Sequence, residues 1–189
     1  MEINGDGVVN PDGKVFNQSY PGPWIQACRG DLIKITVKNK LKFNGTTIHW
    51  HGLRQLGTME MDGVNGVTQC PIAPQDNYTY TFRAMQYGTS WYHSHYSLQY
   101  ADGLLGPITI YGPSSSNYDE ARDPILITDW SHRSAFKDWQ RELVPNPSFP
   151  TMNSVLINGI GKLLQYFALR RHITHINRQF CRFISNGEV

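Results

Sequence analysis

Two short segments of the chain each place a pair of histidines around a single spacer residue. Residues 47–53 read TIHWHGL, and residues 89–97 read TSWYHSHYS. Successive side chains of a β-strand point to opposite faces, so both histidines of each segment share one face of their strand. Any fold of this chain must therefore present two imidazole pairs, which we call the first pair (His49 and His51) and the second pair (His93 and His95).

The first 112 residues have the pattern of an all-β region. Short runs rich in β-branched and aromatic residues are separated by Gly, Pro, Asn and Asp, at the spacing typical of a sandwich. In DLIKITVKN, the apolar residues Ile33, Ile35 and Val37 alternate with a second set. That set is Leu32, Lys34, Thr36 and Lys38, and the alternation is typical of a half-buried antiparallel strand. The predicted fold class is all-β, a Greek-key β-sandwich or barrel.

Four imidazoles from two strands can converge on a metal if the strands are neighbours, because adjacent strands lie about 4.8 Å apart. One such pair is more often part of a surface strand, but two pairs beside tryptophan, holding four of the seven histidines, favour a metal site. Imidazole ligands suit copper, zinc, nickel or iron better than calcium or magnesium. Copper is favoured, while a zinc hydrolase and a simple metal-storage module fit the same donors.

Composition argues against several other classes of protein. A hydrophobic share of 40% and an aromatic share of 12% are typical of a folded chain. No apolar run approaches the roughly 20 residues that span a bilayer, so no membrane partner is expected. The formal net charge is +2, with the basic excess concentrated after residue 160, so a nucleic-acid partner is not expected either.

The character of the sequence changes after residue 112. Residues 113–122, PSSSNYDEAR, are polar and turn-forming and are predicted to be a linker. Residues 123–159, which include the strand-like runs PILITDW and SVLING, are predicted to begin a second domain. Residues 160–189 have lost strand alternation and form an atypical tail that has the pattern of a basic amphipathic helix.

Five short motifs carry a family resemblance: HWHG at 49–52, MDGV at 61–64, CPI at 70–72, WYHSH at 91–95 and DGLLGP at 102–107. Together they resemble the first cupredoxin (plastocyanin-like) domain of a multicopper oxidase, most closely an ascomycete-type fungal laccase. Matching residues upstream, YPGP at 20–23, and downstream, VLING at 155–159, extend the resemblance over nearly all of 7–159.

The resemblance implies a trinuclear copper site that reduces dioxygen to water with four electrons taken singly from phenolic donors. Eight histidines build that site in the family, and four of them match this chain. The match implies that His49 binds the type 2 copper, that His51 and His93 bind one type 3 copper, and that His95 binds the other. The remaining four histidines would come from a third domain.

Asp62 matches the family's acidic residue near the type 2 copper, where a carboxylate would orient water and relay protons. Taken as sequence alone, Asp62-Gly63 is also an ordinary turn. A zinc hydrolase built on the same imidazoles would need Asp62 as its general base. Trp50 and Trp91 are expected to pack against the histidine pairs, and Tyr92 is expected to face the core or wall.

The cysteines and the other histidines add less. Cys70 resembles the cysteine that ascomycete laccases bond to the third domain, and Cys28 is expected to be a small buried residue. Cys181 lies outside the family's His-Cys-His pattern, so no type 1 copper site is expected in this chain. His132 is expected to be an ordinary surface or loop residue, and a second metal site at His172 and His175 has no other support.

Three sequons, at Asn17, Asn44 and Asn77, favour a glycosylated protein, and the resemblance implies an extracellular location for the full-length protein. The start, MEINGDGVVN, has neither a basic nor an apolar signal region, so no signal peptide is expected in this chain. Without a type 1 site, electrons have no entry from a phenol. The chain is therefore expected to be a fragment of a laccase-like multicopper oxidase that is inactive alone, with a non-catalytic copper-binding module or an inactive truncated product as the alternative.

Overall fold

A computed structural model describes residues 3–144 and 151–161 of the chain. Its elements, in chain order, are β1 (Ile25–Cys28), β2 (Leu32–Lys38), β3 (Ile48–Trp50), β4 (Asn77–Arg83), β5 (Gly88–Ser94), β6 (Leu105–Tyr111), β7 (Ile127–Trp130), α1 (Ala135–Glu142) and β8 (Ser154–Ile157). One 3₁₀ turn, Met59–Met61, follows β3. Within the described part of the chain, no helix is long and apolar enough to cross a membrane.

Strands β1 to β6 belong to one compact unit, Lys14–Pro124. Four of them form a sheet in the order β1-β6-β5-β3, in which β1 runs parallel to β6 and the other neighbours are antiparallel. Strands β2 and β4 form a second, antiparallel sheet, in register from Leu32 opposite Arg83 to Lys38 opposite Asn77. The histidine-bearing strands β3 and β5 therefore lie next to each other in the larger sheet.

The core of this unit lies between the two sheets. The indole of Trp50 in β3 lies 5.2 Å from the ring of Tyr80 and 5.3 Å from that of Phe82, both in β4. On β2, Ile33 is buried and Ile35 and Val37 are half-buried. The residues between and beside them in this strand are exposed. The predicted β-sandwich and the alternation of this strand are confirmed.

A second compact unit groups Met1–Gly13 with Ile125–Val189, and its described part holds β7, α1 and β8. Strands β7 and β8 pair antiparallel, and Trp130 of β7 and Leu156 of β8 are buried. The helix was not predicted from the sequence, because eight residues are fewer than the 11 or more over which helical periodicity is recognised. It begins at Ser134, whose hydroxyl accepts a hydrogen bond from the amide of Phe136.

The linker residues 113–122 are exposed and lie outside the strands and the helix. The N-terminal residues join the second unit through backbone bonds such as Gly161 N–H to the carbonyl of Gly5, and through the Asn10 side chain, which donates to the carbonyl of Ser131. The domain bounds at 112, 122 and 159 stay predictions. The expected tail lies outside the described residues, apart from its first two.

Candidate metal centre

The antiparallel pairing of β3 with β5 brings the two histidine pairs side by side. His49 stands directly opposite His93 in the register. The pairing continues past the end of each strand, because the amides of His51 and His95 donate to carbonyls of the facing segment at 3.1 and 3.0 Å. Backbone hydrogen bonds thus fix the position of all four histidines on neighbouring segments.

The four imidazoles form one cluster. The ring of His49 lies 5.6 Å from that of His51, 5.4 Å from that of His93 and 5.5 Å from that of His95, centroid to centroid. One nitrogen from each of His49, His51 and His93 lies within 4.8 Å of the others. His93 is buried and His49 half-buried, whereas His51 and His95 are exposed, so the cluster is open to solvent on one side.

Two of the imidazoles have their protonated nitrogen fixed by backbone carbonyls. His49 Nδ1 lies 2.8 Å from the carbonyl oxygen of Asp62, and His93 Nδ1 lies 3.0 Å from that of Ser94. A carbonyl oxygen only accepts, so Nδ1 carries the hydrogen in both rings. The lone pair is then on Nε2, the nitrogen that each ring offers to a metal.

The electrostatics of the cluster keep its most buried member uncharged. Burial, and then the neighbouring imidazoles of His49, His51 and His95, lower the pKa of His93 to about 4, although its bond to the Ser94 carbonyl acts in the other direction. Burial and the charges of His49 and His95 also lower the pKa of His51. A neutral imidazole is the form that binds a metal, so the fold presents these rings ready to coordinate.

Aromatic side chains support the cluster from two sides. The indole of Trp91 stacks on His93, with centroids 4.0 Å apart, and lies 5.4 Å from the ring of His51. Trp50 and Tyr92, which alternate with the histidines, are buried in the core on the opposite side of the sheet. The expected core placement of Tyr92 and the packing of Trp91 against the histidines are confirmed. The expected packing of Trp50 against them is wrong, because the strand period of two turns its indole into the core with Tyr80 and Phe82.

Asp62 lies at the edge of the cluster. Its carboxylate Oδ1 is 3.4 Å from His49 Nδ1, while its carbonyl takes the shorter bond to the same nitrogen. The next residue, Gly63, has φ of +77°, and a Cβ there would lie 1.9 Å from the carbonyl oxygen of Ile48. Only glycine permits this approach, so the Asp-Gly turn is what seats Asp62 against β3.

Other predicted residues lie elsewhere. Cys70 is exposed as a free thiol, and Cys28 is also exposed at the end of β1, so the expected burial of Cys28 is wrong. Cys28 shares the outward face of β1 with Gln26, because alternate residues of a strand lie on the same face, and both side chains are exposed. His172, His175 and Cys181 lie outside the described residues.

His132 belongs to the second unit and is not an ordinary surface residue. Its Nε2 lies 2.7 Å from the carboxylate of Asp6, whose side chain has no exposed surface. The hydroxyl of Ser154 donates to the same carboxylate oxygen. Burial raises the pKa of Asp6, but the hydrogen bonds from Ser154, His132 and the amide of Val8 together outweigh it and leave the pKa lowered. This pairing could not be predicted from the sequence, because Asp6 and His132 are 126 residues apart along the chain.

Sequence reasoning also missed two residues close to the cluster. The ring of Tyr100 lies 5.8 Å from that of His93. The hydroxyl of Thr47, two residues before His49, is buried and has no hydrogen-bond partner among the described residues. The signal that marks Thr47 is the strand period of two, which places it on the face of His49.

The donor set fits copper. Three imidazole nitrogens lie within 4.8 Å of one another, the pKa values of His51 and His93 are lowered, and the Nδ1 hydrogens of His49 and His93 are held by carbonyls in the manner of metal-bound histidines. Imidazole ligands without a carboxylate in the group favour copper, zinc or nickel over hard cations.

The geometry agrees with comparisons to known proteins. The family model of multicopper oxidases, "Cu-oxidase_3: Multicopper oxidase", matches residues 1–115. The chain belongs to the multicopper oxidase family, and copper is the metal expected in it. Within that family its relatives are fungal laccases: a laccase of Arthroderma benhamiae is 58% identical over 159 residues, which are 84% of this chain and 24% of the relative.

Other relatives carry different names. Dihydrogeodin oxidase of Aspergillus terreus is 52% identical over 163 residues, covering 81% of this chain and 26% of the relative. Among solved structures, the laccase from Botrytis aclada matches with a TM-score of 0.80 and 48% identity, over 89% of this chain and 30% of that one. Fet3p, described as a multicopper oxidase that functions in iron import, matches with a TM-score of 0.78 and 33% identity, over 85% and 31%.

These structures confirm the cupredoxin-like fold and the predicted family. The chain spans about a quarter of the length of the curated relatives that it matches.

Proposed function

We propose that this chain provides four of the eight histidine ligands of a trinuclear copper site in a laccase-type oxidase. His49 binds the type 2 copper, His51 and His93 bind one type 3 copper, and His95 binds the other. The observation that supports this most is the cluster itself, in which three imidazole nitrogens from facing strands lie within 4.8 Å of one another in a multicopper oxidase.

The protein's own contribution is to present these nitrogens in the correct state. Carbonyls of Asp62 and Ser94 hold the Nδ1 hydrogens, so Nε2 of His49 and His93 faces the metal without a proton to displace. Trp91 limits rotation of the His93 ring by stacking on it. When bound, copper supplies one-electron redox chemistry, by which dioxygen is reduced to water with four electrons.

Asp62 is proposed to orient water and move protons during oxygen reduction. Its side chain is part-exposed and lies beside the ring of His49, so it can exchange protons with solvent at the edge of the site. In the complete oxidase, Asp62→Asn is expected to slow oxygen reduction about 100-fold, since the amide cannot take up a proton. An unchanged rate in oxygen-uptake assays would remove this role.

The rest of the oxidase is proposed to lie outside these 189 residues. None of the three cysteines stands in a His-Cys-His pattern, so electron entry from a phenolic donor requires a type 1 site elsewhere. The exposed thiol of Cys70 suits a disulfide to that further part. We therefore propose that the chain is a fragment of a larger oxidase and does not oxidise phenols alone.

An extracellular, glycosylated location is part of the same proposal. The asparagines of all three sequons, Asn17, Asn44 and Asn77, are exposed. Expression through a eukaryotic secretory pathway is expected to give a product whose mass falls on treatment with an N-glycosidase. A product of unchanged mass would contradict this.

Copper analysis of the purified chain tests the central proposal. Metal content and the electron paramagnetic resonance spectrum are measured for the wild type, for His51→Ala with His93→Ala, and for His132→Ala as the matched control. We expect copper in the wild type and control and at least a 100-fold weaker affinity in the double variant. Equal copper in all three would refute the site, and oxygen uptake with a phenol would refute the inactivity of the chain.

A further inference from the structure

A glutamine that touches none of the histidines joins the two segments that carry them. Gln99 has no exposed surface, and it lies in the loop between β5 and β6. A long polar side chain is rarely buried completely, and one that is buried has its hydrogen bonds satisfied. Its hydrogen bonds therefore indicate what it holds in place.

All polar atoms of the Gln99 side chain are engaged. Its amide oxygen accepts from the hydroxyl of Thr46 at 2.9 Å and from the hydroxyl of Ser94 at 2.8 Å. Its amide nitrogen donates to the carbonyl of Gly45 at 2.8 Å. Gly45 and Thr46 lead into the strand of the first histidine pair, and Ser94 is the spacer of the second pair.

Ser94 is the residue through which these bonds reach the second pair. It is fully buried between His93 and His95, and its carbonyl accepts from His93 Nδ1. Its amide donates to the carbonyl of Leu104, and its hydroxyl also accepts from the amide of Tyr96. A shift of Ser94 would therefore move the carbonyl that orients His93 and the backbone that carries His95.

The backbone of Gln99 is itself anchored. Its amide donates to the carbonyl of Tyr96, and its carbonyl accepts from the amides of Asp102 and Leu104. The carboxylate of Asp102 is buried and lies 2.6 Å from the ammonium of Lys14. The side-chain amide of Gln99 is thus held at a fixed point between the two histidine segments.

We propose that Gln99 is a positioning residue of the copper site: it fixes the two histidine pairs relative to each other through Thr46 and Ser94. This inference rests on the proposed copper function. Partners that orient metal ligands from outside the coordination shell commonly change metal affinity by 10- to 100-fold when removed. Gln99 acts one bond further out, through the backbone of the ligand segment.

Gln99→Leu tests this, because leucine has a similar volume and no hydrogen-bonding group. We expect the copper affinity of the chain to fall about tenfold, with an altered copper hyperfine splitting in the electron paramagnetic resonance spectrum. Thr109→Val is the control, because Thr109 lies on β6 opposite Thr89, four residues before His93, and its hydroxyl accepts a part-buried hydrogen bond from Trp24 Nε1. Thr109→Val is expected to leave the copper affinity and the electron paramagnetic resonance spectrum unchanged, even if it lowers the free energy of unfolding in urea as much as Gln99→Leu does.

A double-mutant cycle with Ser94→Ala separates positioning from general destabilisation. If Gln99 acts through Ser94, adding Gln99→Leu to Ser94→Ala gives less than a threefold further loss of copper affinity. Fully additive losses, or an affinity for Gln99→Leu within twofold of the wild type, would overturn the proposal. Ser94→Ala breaks the same bond from its other end, and it serves alone if Gln99→Leu does not fold.

The metal-free chain gives a readout that does not depend on the proposed function. The ¹⁵N shifts of the His93 and His95 imidazoles are expected to change in Gln99→Leu and not in Thr109→Val. A wild type that binds no copper would refute the copper function, and these shifts would then decide on the positioning by Gln99. Unchanged shifts would overturn it.

Discussion

The two units of the molecule use histidine beside an aspartate in opposite ways. In the first unit, Nδ1 of His49 lies against the backbone carbonyl of Asp62, which leaves the Nε2 lone pair available to the proposed copper. In the second unit, His132 directs Nε2 itself at the buried carboxylate of Asp6. The ring nitrogen that is engaged therefore differs: Nδ1 of the proposed ligand His49 meets a backbone carbonyl, whereas Nε2 of His132 meets a carboxylate.

The surroundings differ in the same sense. The Asp6 side chain has no exposed surface, whereas that of Asp62 is 26% exposed. A buried carboxylate needs all its donors, so the Asp6 cluster is closed by Ser154 and the amide of Val8. The histidine cluster satisfies its rings through the backbone and leaves one side open. Hydrogen bonds to a carboxylate thus stabilise the Asp6 cluster. In the histidine cluster the hydrogen bonds go to Nδ1 of His49 and His93 and leave Nε2, the nitrogen proposed to bind copper, without such a bond within the described part of the chain.

The largest effect is expected from removing the acid of the closed cluster. Asp6→Ala leaves His132, Ser154 and the amide of Val8 without their acceptor, and each loss costs about 1–3 kcal/mol, so we expect roughly 4 kcal/mol less free energy of unfolding in urea. Hydrogen exchange is expected to show the loss at β7 and β8. Lys137→Ala, which breaks the exposed pair with Asp12, serves as the control. Equal effects of both variants would contradict the comparison.

Acid titration of the metal-free chain separates the regions by pH. The pKa of His93 is lowered to about 4 from 6.5, so between these values the unfolded chain takes up a proton that the folded chain refuses, and stability falls as the pH drops. The loss is about 3 kcal/mol at most. The pKa of Asp6 lies below 3.8, so its contribution is present above that value and is lost as the pH falls further.

Two variants assign these windows. Unfolding free energies from urea titrations at several pH values are expected to lose most of their slope between pH 6.5 and 4 in His93→Gln, and the remaining slope is expected from His51, whose pKa is also lowered. Asp6→Asn is expected to keep that slope and to flatten the curve below 3.8. An unaltered upper window in His93→Gln would show that the cluster is not responsible for it.

A smaller effect is expected from the aromatic support of the open cluster. Trp91→Leu keeps an apolar side chain but removes the ring stacked on His93, so copper affinity, measured by calorimetry, is expected to fall about tenfold. Trp139→Leu, on the exposed face of α1, is the matched control and should have no effect. If both variants bind copper like the wild type, the stacking does not hold the ring.

The smallest effect is expected at Asp62. Asp62→Asn keeps the backbone carbonyl that binds His49 Nδ1, so the copper affinity of the chain is expected to stay within about twofold. A calorimetric loss above tenfold would show that the carboxylate, and not the carbonyl, holds this histidine. That result would make the two units alike.

Local patterns predicted the sandwich and the cluster well. The period of two in β2 and around the histidines follows from backbone geometry alone, and it predicted the inward positions of Ile33 and Tyr92. Trp50, which was expected to pack against the histidines, lies in the same core. The resemblance of the motifs then identified the family and favoured copper. The imidazole donors alone were also compatible with zinc, nickel or iron.

Features that depend on distant segments were not predictable. Asp6 and His132 lie far apart in sequence, and the bonds of Gln99 to Gly45 and Thr46 leave no periodic trace. Cys28 was predicted wrongly because its residue type suggested burial, whereas the alternation along β1 puts it on the exposed face of the strand. The face of a strand on which a side chain lies can be predicted from its neighbours in sequence. The residues that it contacts depend on which distant segments the fold brings together.

The close approach of Gly63 to β3 has a consequence for mutational tolerance. A side chain of any size at this position would meet the Ile48 carbonyl at 1.9 Å, so no rotamer can relieve the clash. In a saturation library screened for copper retention, position 63 should accept glycine alone, while position 62 accepts many residues. For copper retention, Asp62 is then the replaceable half of the Asp-Gly motif although its carboxylate is proposed to move protons, and the residue without a side chain is the half that cannot change.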